Sequence, residues 1–310
     1  MGGIHMKTLQ LGTSDLYAKE IGLGLMRLSE KSPQEAEAII QNALDLGVNF
    51  FDHADIYGGG KSEEVFREAF KHVSANREDI LLQSKCGIRK GFFDFSKEHI
   101  LVSTEGILKR LDTDYLDVLL LHRPDALVEP EEVAEAFTQL KQQGKVRYFG
   151  VSNHHPMQIE LLKKYLQEDL IVNQVQFSLM HTPMIDFGLN VNMTNENGQN
   201  RDQAIIEYSR LIDMTIQAWS PFQYGLIKGT FLNNPDFPEI NQALDAMAEA
   251  KGVSNTTLAT AWILRHPANI QPIVGTMNTD RLKQITAASD VHLTREEWYH
   301  LYQKAGNMLP

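Results

Sequence analysis

Short apolar runs alternate along the chain with longer stretches in which apolar residues recur at helical spacing. The short runs are rich in β-branched and aromatic residues, which predicts strands, and their alternation with amphipathic helices predicts a parallel sheet. The eight predicted strands cover residues 21–26, 48–51, 80–84, 115–121, 148–151, 171–174, 215–218 and 270–274. Eight evenly spaced units favour a closed (β/α)8 barrel, a TIM barrel, over an open doubly wound α/β sheet.

Capping residues indicate where the intervening helices begin and end. Ser32 is followed by a proline and then by Glu35, an order that predicts an N-cap with a capping box. Gly47 would end that helix. A second helix is predicted over residues 130–143, with Gly144 as its stop signal.

Two long segments interrupt this rhythm, at residues 178–200 and 221–238. The first is rich in Asn and Met, and the second is rich in Gly, Phe and Asn. Long structured insertions in compact domains are usually lids or binding loops. Loops that follow barrel strands gather at the face where active sites are found, so we expect both insertions there.

Composition and charge exclude several classes of partner. The 310 residues carry a formal net charge of −11, which repels nucleic acid and anionic membranes at long range. The sequence contains neither an apolar run long enough to span a membrane nor a signal-peptide pattern. We therefore expect a cytoplasmic protein that binds a small molecule, and that is a monomer or a weak homo-oligomer.

Residues 1–5 look like a remnant of expression ahead of a native Met6, and we expect residues 6–310 to form one barrel domain. The single cysteine, Cys86, excludes an intrachain disulfide and a cysteine-based metal site. Its position next to Lys85 on a strand directs the two side chains to opposite faces. A buried, structural thiol is therefore expected.

Two nucleotide-binding motifs are incomplete. The Gly-Leu-Gly that ends at Gly24 begins like a dinucleotide fingerprint, but Arg27 occupies the third glycine position. The Gly-Lys-Ser around Lys61 ends like a phosphate-binding loop, but the required upstream glycine is Asp55. Neither motif supports a nucleotide site of its usual kind.

A metal site is also not expected. Asp52, His53 and Asp55 are close in sequence, but successive residues of a strand point to opposite faces. Asp52 and His53 therefore cannot readily share one ion.

Four ionisable residues are predicted at the carboxyl ends of strands. Asp52 follows the second strand, Tyr57 lies in the next loop, Lys85 follows the third strand, and His122 follows the fourth. Such positions in this fold are typical of catalytic residues, although a single Lys or His there is more often structural.

Together the four residues suit one reaction, the reduction of a carbonyl by hydride transfer. Hydride reduction of a carbonyl requires a proton donor at the oxygen, and an ordinary tyrosine, with a pKa of about 10, is a weak acid at neutral pH. Lys85 beside Tyr57 would stabilise the tyrosinate and lower the pKa of the phenol. Asp52 would hold Lys85 charged, and His122 would orient the substrate oxygen.

The residues around this group resemble the aldo-keto reductase superfamily. The resemblance rests on Asp-His-Ala-Asp-Ile-Tyr-Gly-Gly from Asp52, Ser-Lys-Cys-Gly-Ile around Lys85, and Leu-His-Arg-Pro-Asp around His122. These phrases are most similar to the bacterial YdhF-type branch. The resemblance runs from about Ile21 to Arg281, and it implies a catalytic tetrad of Asp52, Tyr57, Lys85 and His122.

The same resemblance implies a set of cofactor contacts. They are expected from Gly24, Met26 and Arg27 after the first strand, Ser152, Asn153 and Gln174 at the nicotinamide carboxamide, Trp219 on the nicotinamide ring, and Ser220, Phe222, Gly225 and Leu226 at the pyrophosphate. On pattern alone, Ser152-Asn153 could instead be the N-cap of the next helix, and Trp219 could be a core aromatic.

The adenine end of the cofactor is expected at Gly275, Thr276, Asn278 and Arg281. Asn278 or Thr279 would cap a helix, and a guanidinium beside a helix N-terminus suits a 2′-phosphate. Many relatives carry Lys at the position of Gly275, and its absence here weakens the case for NADP over NAD. Arg281 still favours NADPH/NADP+ over NADH.

The substrate side differs from the family pattern, because Met26 stands where an aromatic residue is frequent. The chain ends soon after a last helix predicted over residues 294–304, so we expect no long tail over the pocket. The mouth of the pocket is expected to be open. Its expected lining residues are Met26, neighbours of Phe51 or Tyr57, Arg123, Met180, His181 and Met184.

A mouth lined by methionines suits varied apolar aldehydes and ketones. Two other functions stay open at this point. One is a nucleotide-binding sensor or regulatory subunit with little turnover, and the other is an isomerase or lyase that uses Lys85 as a Schiff-base nucleophile.

Overall fold

Eight parallel strands close into a barrel in the computed structural model, which describes residues 6–310. Each strand pairs with the next in the chain, β5 pairs with β6, and β8 pairs with β1 to complete the ring. The strands are β1 (Gly22–Gly24), β2 (Phe50–Asp52), β3 (Leu81–Cys86), β4 (Leu116–Leu121), β5 (Val146–Ser152), β6 (Leu170–Gln176), β7 (Thr215–Trp219) and β8 (Ile270–Val274). The predicted closed barrel is confirmed. The interpretation of residues 1–5 lies outside the described residues.

Helices follow the strands and pack around the barrel. The α-helices within residues 6–310 are α1 (Pro33–Asp45), α2 (Lys61–Phe70), α3 (Lys97–Leu111), α4 (Pro130–Gln142), α5 (Pro156–Lys163), α6 (Pro183–Leu189), α7 (Ile205–Leu211), α8 (Pro238–Lys251), α9 (Asn255–Leu264), α10 (Thr279–Thr286) and α11 (Arg295–Lys304). Short 3-10 turns occupy Leu28–Glu30, Tyr57–Gly60, Arg77–Asp79, Glu196–Gly198 and Ala287–Asp290. None of these helices is both long and apolar enough to cross a bilayer.

The predicted helix signals are present in the structure. The Ser32 hydroxyl accepts a hydrogen bond from the Glu35 N–H, and the Glu35 carboxylate accepts one from the Ser32 N–H. Gly47 and Gly144 both adopt positive φ, at 86° and 69°, just beyond the ends of α1 and α4. A capping box of this kind satisfies two backbone donors that the first helical turn leaves free.

Strand boundaries differ from the predictions in one instructive way. Asp52 and Lys85 lie within β2 and β3 rather than after them. Their polar side chains suggested strand ends, but both point into the barrel and are buried among other polar groups. At the first strand, only Gly22–Gly24 pairs as a strand, so the predicted extension to Met26 is wrong.

The barrel interior mixes apolar and polar side chains, and a hairpin of Thr8–Gln10 and Tyr17–Lys19 closes the bottom. The apolar cluster consists of Leu11, Leu16, Ala18, Phe50, Val118, Leu120, Ile171, Val172 and Ile273. The buried carboxamides of Gln83, Gln174, Gln217 and Gln271 lie among these residues, and Gln271 reaches the Lys19 carbonyl of the hairpin.

Asp117 ties several segments together near the bottom of the barrel. Its buried carboxylate accepts hydrogen bonds from the Leu82 N–H, from Arg77 Nη2 and from Arg147 Nη1, each at 2.8 Å. Removing one partner of a buried charge pair leaves the others without compensation, which destabilises a protein by about 3–5 kcal/mol.

We therefore predict that Asp117→Ala lowers the free energy of unfolding by about 3–5 kcal/mol, because two guanidinium groups and a backbone N–H lose their acceptor. Urea unfolding followed by circular dichroism measures this change. Asp15→Ala is the control, since Asp15 is exposed and its contact with Arg147 is long, at 3.5 Å. Equal small effects of the two variants would contradict the prediction.

Candidate active site

A buried ion pair lies at the centre of the upper barrel. Lys85 Nζ is 2.8 Å from both carboxylate oxygens of Asp52 and donates to the His53 carbonyl oxygen at 2.8 Å. Both side chains are almost completely buried. Burial by itself would lower the pKa of Lys85, but the Asp52 carboxylate and Tyr57 outweigh burial and raise that pKa. Lys85 is therefore a fixed ammonium.

Tyr57 is within reach of this ammonium. Its hydroxyl lies 3.3 Å from Lys85 Nζ, and Nζ is 5.1 Å from the centre of the phenol ring. The expected lowering of the Tyr57 pKa is wrong for the protein alone. Burial raises the pKa of the phenol and Asp52 adds to that rise, while the charge and hydrogen bond of Lys85 oppose it. Tyr57 consequently keeps its proton through the neutral pH range.

Local backbone geometry brings Tyr57 over the ion pair. Gly58 has φ of +59°, and a Cβ there would lie 2.5 Å from Ser29 Oγ, so only glycine fits this turn. The start of α2 is anchored by the fully buried Glu63. Its carboxylate accepts from Ser84 Oγ at 2.8 Å and from Arg110 Nε at 2.6 Å.

His122 lies beside Tyr57, directly after β4. The two rings meet edge to face with centroids 6.2 Å apart. Burial holds the pKa of His122 well below its usual value, and the charges of Lys85 and Arg123 lower it further. The ring is therefore neutral. Its Nδ1 is buried without a hydrogen-bond partner among the described residues.

A chain of carboxamides supports the ion pair from below. Gln83 donates to Asp52 Oδ1 at 2.6 Å and to Gln217 Oε1 at 2.7 Å. Gln174 donates to the same Gln217 oxygen, and Gln217 donates to Gln271, which reaches the Lys19 carbonyl. The interior of β3, β6, β7 and β8 is thus connected to Asp52 by hydrogen bonds.

Sequence reasoning missed three of these carboxamides, Gln83, Gln217 and Gln271. The alternation of side chains between the two faces of a strand could have identified Gln83. Gln83 and Lys85 are two residues apart on β3, so their side chains share the inner face.

The residues expected at the nicotinamide form one connected group. Trp219 Nε1 donates to Asn153 Oδ1 at 3.0 Å, Asn153 Nδ2 donates to Ser152 Oγ, and Ser152 Oγ donates to the Gln174 carbonyl. Asn153 has φ of +60° and also reaches the His122 carbonyl at 3.3 Å. The group therefore lies beside the tetrad candidates.

The alternative interpretation of Ser152-Asn153 as a helix N-cap is wrong. The N-cap of α5 is His155, whose ring accepts from the Gln158 N–H while the Gln158 side chain accepts from the His155 N–H. Asn153 sits two residues too early, in a left-handed conformation that turns the chain out of the barrel.

The segment after β7 forms an exposed loop. Ser220, Gly225 and Leu226 all have positive φ, and the Leu226 carbonyl accepts a hydrogen bond from Gln176 Nε2 at 3.1 Å. Phe222 is half-buried against the helices, whereas the Leu226 side chain points to solvent. This loop lies at the carboxyl end of β7, as expected for the second insertion.

The residues expected at the adenine end lie at the start of α10. Asn278 caps this helix by accepting from the Arg281 N–H at 2.8 Å, and Thr276 Oγ1 accepts from the Asn278 N–H. Arg281 is exposed. Gly275 lies next to Arg27 of the loop after β1, because a Cβ on Gly275 would be 3.5 Å from Arg27 Nη2.

Two further residues expected to contact the cofactor, Gly24 and Met26, lie at the end of β1 and in the loop after it. Gly24 is buried at the end of β1, and Met26 is exposed. Gly24 packs closely on β8, since a Cβ there would lie 3.1 Å from Ile273 Cγ2.

Met184, expected at the mouth of the pocket, lies elsewhere, and so does Phe51, whose neighbours were expected there. Phe51 is fully buried against Phe66, because strand alternation turns it outward to α2 while Asp52 faces inward. Met184 is buried in the core between the outer helices. Met180, His181 and Arg123 remain partly exposed.

His53 and Cys86 lie on the outer face of their strands. The His53 ring packs edge to face on Phe66 at 4.8 Å, and burial lowers its pKa to about 3. Cys86 is buried in the core, and burial raises the pKa of its thiol well above the usual value. Both have the surroundings of core residues.

Comparisons with known proteins agree with this architecture. The Aldo/keto reductase family profile matches residues 20–305. The chain is 37% identical over 312 residues to the uncharacterized oxidoreductase YcsN of Bacillus subtilis, covering 96% of this chain and 97% of YcsN. It is 34% identical to the Escherichia coli oxidoreductase YdhF, covering 91% and 92% of the two chains.

Among solved structures, an aldo-keto reductase from Klebsiella pneumoniae in complex with NADPH superposes with a TM-score of 0.77 at 26% identity, over 96% of this chain and 94% of that one. The family match spans nearly all of the described chain and includes every strand of the barrel. The resemblance inferred from the sequence motifs is confirmed: this chain belongs to the aldo/keto reductase family and is an NAD(P)-dependent oxidoreductase.

Proposed function

We propose that this enzyme reduces aldehydes and ketones to alcohols with NADPH, and that Tyr57 donates the proton. The observation that carries the proposal is the chain of contacts from Asp52 through Lys85 Nζ to the Tyr57 hydroxyl, at 2.8 Å and 3.3 Å. A protonated phenol is thus beside a permanent cation at the carboxyl ends of the barrel strands. The His122 ring contacts the same phenol edge to face.

The residues present fit a phosphorylated nicotinamide cofactor. Arg27 and Arg281 are exposed guanidinium groups on neighbouring loops, and neither forms a salt bridge within residues 6–310. Arg281 stands in the first turn of α10, where backbone N–H groups attract a phosphate. The partly exposed Trp219 ring and the Asn153 and Gln174 carboxamides face the other end of the site. These residues would hold NADPH across the barrel mouth.

When bound, this cofactor supplies the hydride that reduces the carbonyl carbon. The chain itself has to hold the carbonyl oxygen and deliver a proton to it. Tyr57 is protonated in the resting protein because burial raises its pKa. As negative charge develops on the substrate oxygen, the proton moves from the phenol, and Lys85 stabilises the phenolate left behind.

The neutral His122 completes the oxygen site. Its pKa is held low by burial and by two neighbouring cations, so the ring can donate a hydrogen bond without adding charge. Asp52 balances the Lys85 charge and prevents the ammonium from turning away. Each side chain therefore has a role that depends on its protonation state in this environment.

The ion pair between Lys85 and Asp52 is unfavourable for a Schiff-base mechanism. A nucleophilic lysine has to lose its proton, but Asp52 raises the pKa of Lys85.

The alternative function of a nucleotide-binding sensor can be tested directly. Such a protein would bind NADPH tightly and would reduce none of a broad panel of carbonyl compounds.

We propose that the enzyme accepts varied carbon skeletons. Met26 is exposed beside the site, and Met180 is only partly buried in the insertion after β6. Flexible thioether side chains adapt to ligands of different shape.

We predict that Tyr57→Phe lowers kcat for aldehyde reduction by about 10²–10⁴-fold, because the proton donor at the carbonyl oxygen is lost. NADPH oxidation followed at 340 nm measures the rate, and NADPH fluorescence titration should show unchanged binding. Tyr148→Phe is a matched control, since its hydroxyl contacts Asp15 near the bottom of the barrel. Reduction by Tyr57→Phe at the parental rate would exclude Tyr57 as the acid.

Gln83→Leu should lower kcat by about tenfold, because the Asp52 carboxylate loses a charged hydrogen bond that fixes it under Lys85. Gln271→Leu removes a carboxamide from the same network but at the end distant from Asp52. It should reduce thermal stability without a comparable fall in kcat. If both variants lost activity in proportion to stability, the network would only support the fold.

Arg281→Ala should raise the KM for NADPH about 10- to 100-fold and leave the KM for NADH nearly unchanged, because a guanidinium–phosphate contact is lost. Steady-state kinetics with both cofactors measure the difference. Lys283→Ala provides a control on the same exposed helix. An equal effect of Arg281→Ala on both cofactors would show that Arg281 does not contact the 2′-phosphate.

A further inference from the structure

Arg123 is a partly buried cation beside the candidate tetrad. It follows His122 directly at the carboxyl end of β4, and burial lowers the pKa of its guanidinium. No acidic side chain opposes this effect of burial. Within residues 6–310 its side chain donates no hydrogen bond and forms no salt bridge. The guanidinium is thus partly buried and has no counter-ion among these residues, in a chain of 40 acidic and 29 basic residues.

Asp125, the acidic residue of the same loop that is nearest to Arg123 in sequence, is engaged elsewhere. Asp125 Oδ2 accepts from the Phe95 N–H at 3.0 Å, and Asp125 Oδ1 accepts from the Leu127 N–H at 2.8 Å. Its carboxylate therefore secures the backbone of the loop and leaves Arg123 without a counter-ion. A partly buried cation without a counter-ion is stabilised when an anion binds to it.

The position of Arg123 connects it with the reaction site. Its Cζ is 5.9 Å from the centre of the Trp219 ring, and its charge contributes to the lowered pKa of His122. Arg123 therefore faces the space between the residue proposed to orient the carbonyl oxygen and the aromatic ring proposed to meet the nicotinamide. A substrate held there would extend past the guanidinium.

We propose that Arg123 binds a carboxylate on the substrate, and that the preferred substrates are oxo acids, meaning aldehydes or ketones that carry a carboxylate a few atoms from the carbonyl. This inference rests on the proposed reductase function and adds the substrate class. A guanidinium pairs with a carboxylate through two parallel N–H donors, which would fix the direction of the substrate as well as its affinity.

The reaction with such a substrate is balanced as follows. The hydride of NADPH forms the new C–H bond at the carbonyl carbon, the Tyr57 proton forms the O–H bond, and solvent restores the phenol proton. NADPH is oxidised to NADP+ and the carbonyl is reduced to a hydroxyl. The carboxylate stays unchanged on Arg123, so the product is a hydroxy acid.

A matched pair of aldehydes tests the proposal, namely 4-formylbenzoate and its methyl ester. They have the same aromatic carbonyl and differ in the charge of the distant group. The parent enzyme should show a higher kcat/KM for the carboxylate by about tenfold or more. Arg123→Met should reduce the ratio of the two kcat/KM values by about 10- to 100-fold, mainly through the KM for the carboxylate.

Two further variants sharpen this test. Arg123→Lys keeps the charge but cannot donate two parallel hydrogen bonds to a carboxylate. Its selectivity for the carboxylate should therefore lie between that of the parent enzyme and that of Arg123→Met. Arg295→Met removes an exposed arginine from α11 and should leave the ratio unchanged. NADPH titration of each variant reports on cofactor binding independently of substrate.

Three outcomes would overturn the proposal. If the parent enzyme reduces the acid and the ester equally well, Arg123 is not a carboxylate site, although the reductase function stands. If Arg123→Met lowers both kcat/KM values by one factor or weakens NADPH binding to that extent, Arg123 serves the fold or the cofactor. If the parent enzyme binds NADPH but reduces neither aldehyde, the proposed function fails together with this inference.

Discussion

The ion pair between Lys85 and Asp52 is the interaction on which the upper barrel depends. A lysine ammonium enclosed in protein is tolerated only when a carboxylate and further acceptors replace its water, and Asp52 and the His53 carbonyl do so here. The pair joins β2 to β3 inside the barrel, places a cation beside the Tyr57 hydroxyl, and adds to the effect of burial that keeps His122 neutral. A site of this kind needs little motion, because its charges are already in place before a substrate arrives.

Much of this arrangement follows from the sequence. The apolar runs located every barrel strand, and the capping residues located the ends of α1 and α4, because both signals depend on local backbone chemistry. The four tetrad candidates could be placed together because the carboxyl ends of parallel strands share one face of a barrel. The family motifs predicted the roles of these four residues, and the barrel fold brings their side chains close together.

Other features depend on the environment that the fold creates. The acidity of Tyr57 was expected from its nearest cation alone, whereas burial of the phenol has the larger effect on its pKa. Met184 looked suitable for a substrate pocket because it is apolar, but helix packing places it in the core. The partnerless state of Arg123 became visible only when the hydrogen bonds of Asp125 were known.

The chain of carboxamides that begins at Asp52 has a consequence for how the enzyme responds to acidity. Asparagine and glutamine side chains do not ionise in water, so Gln83, Gln174, Gln217 and Gln271 keep the same donors and acceptors from acidic to alkaline solution. A support made of histidines or carboxylates would rearrange as protons came and went. The carboxamides instead keep the same hydrogen bonds to Asp52 and to one another whatever the pH of the solution.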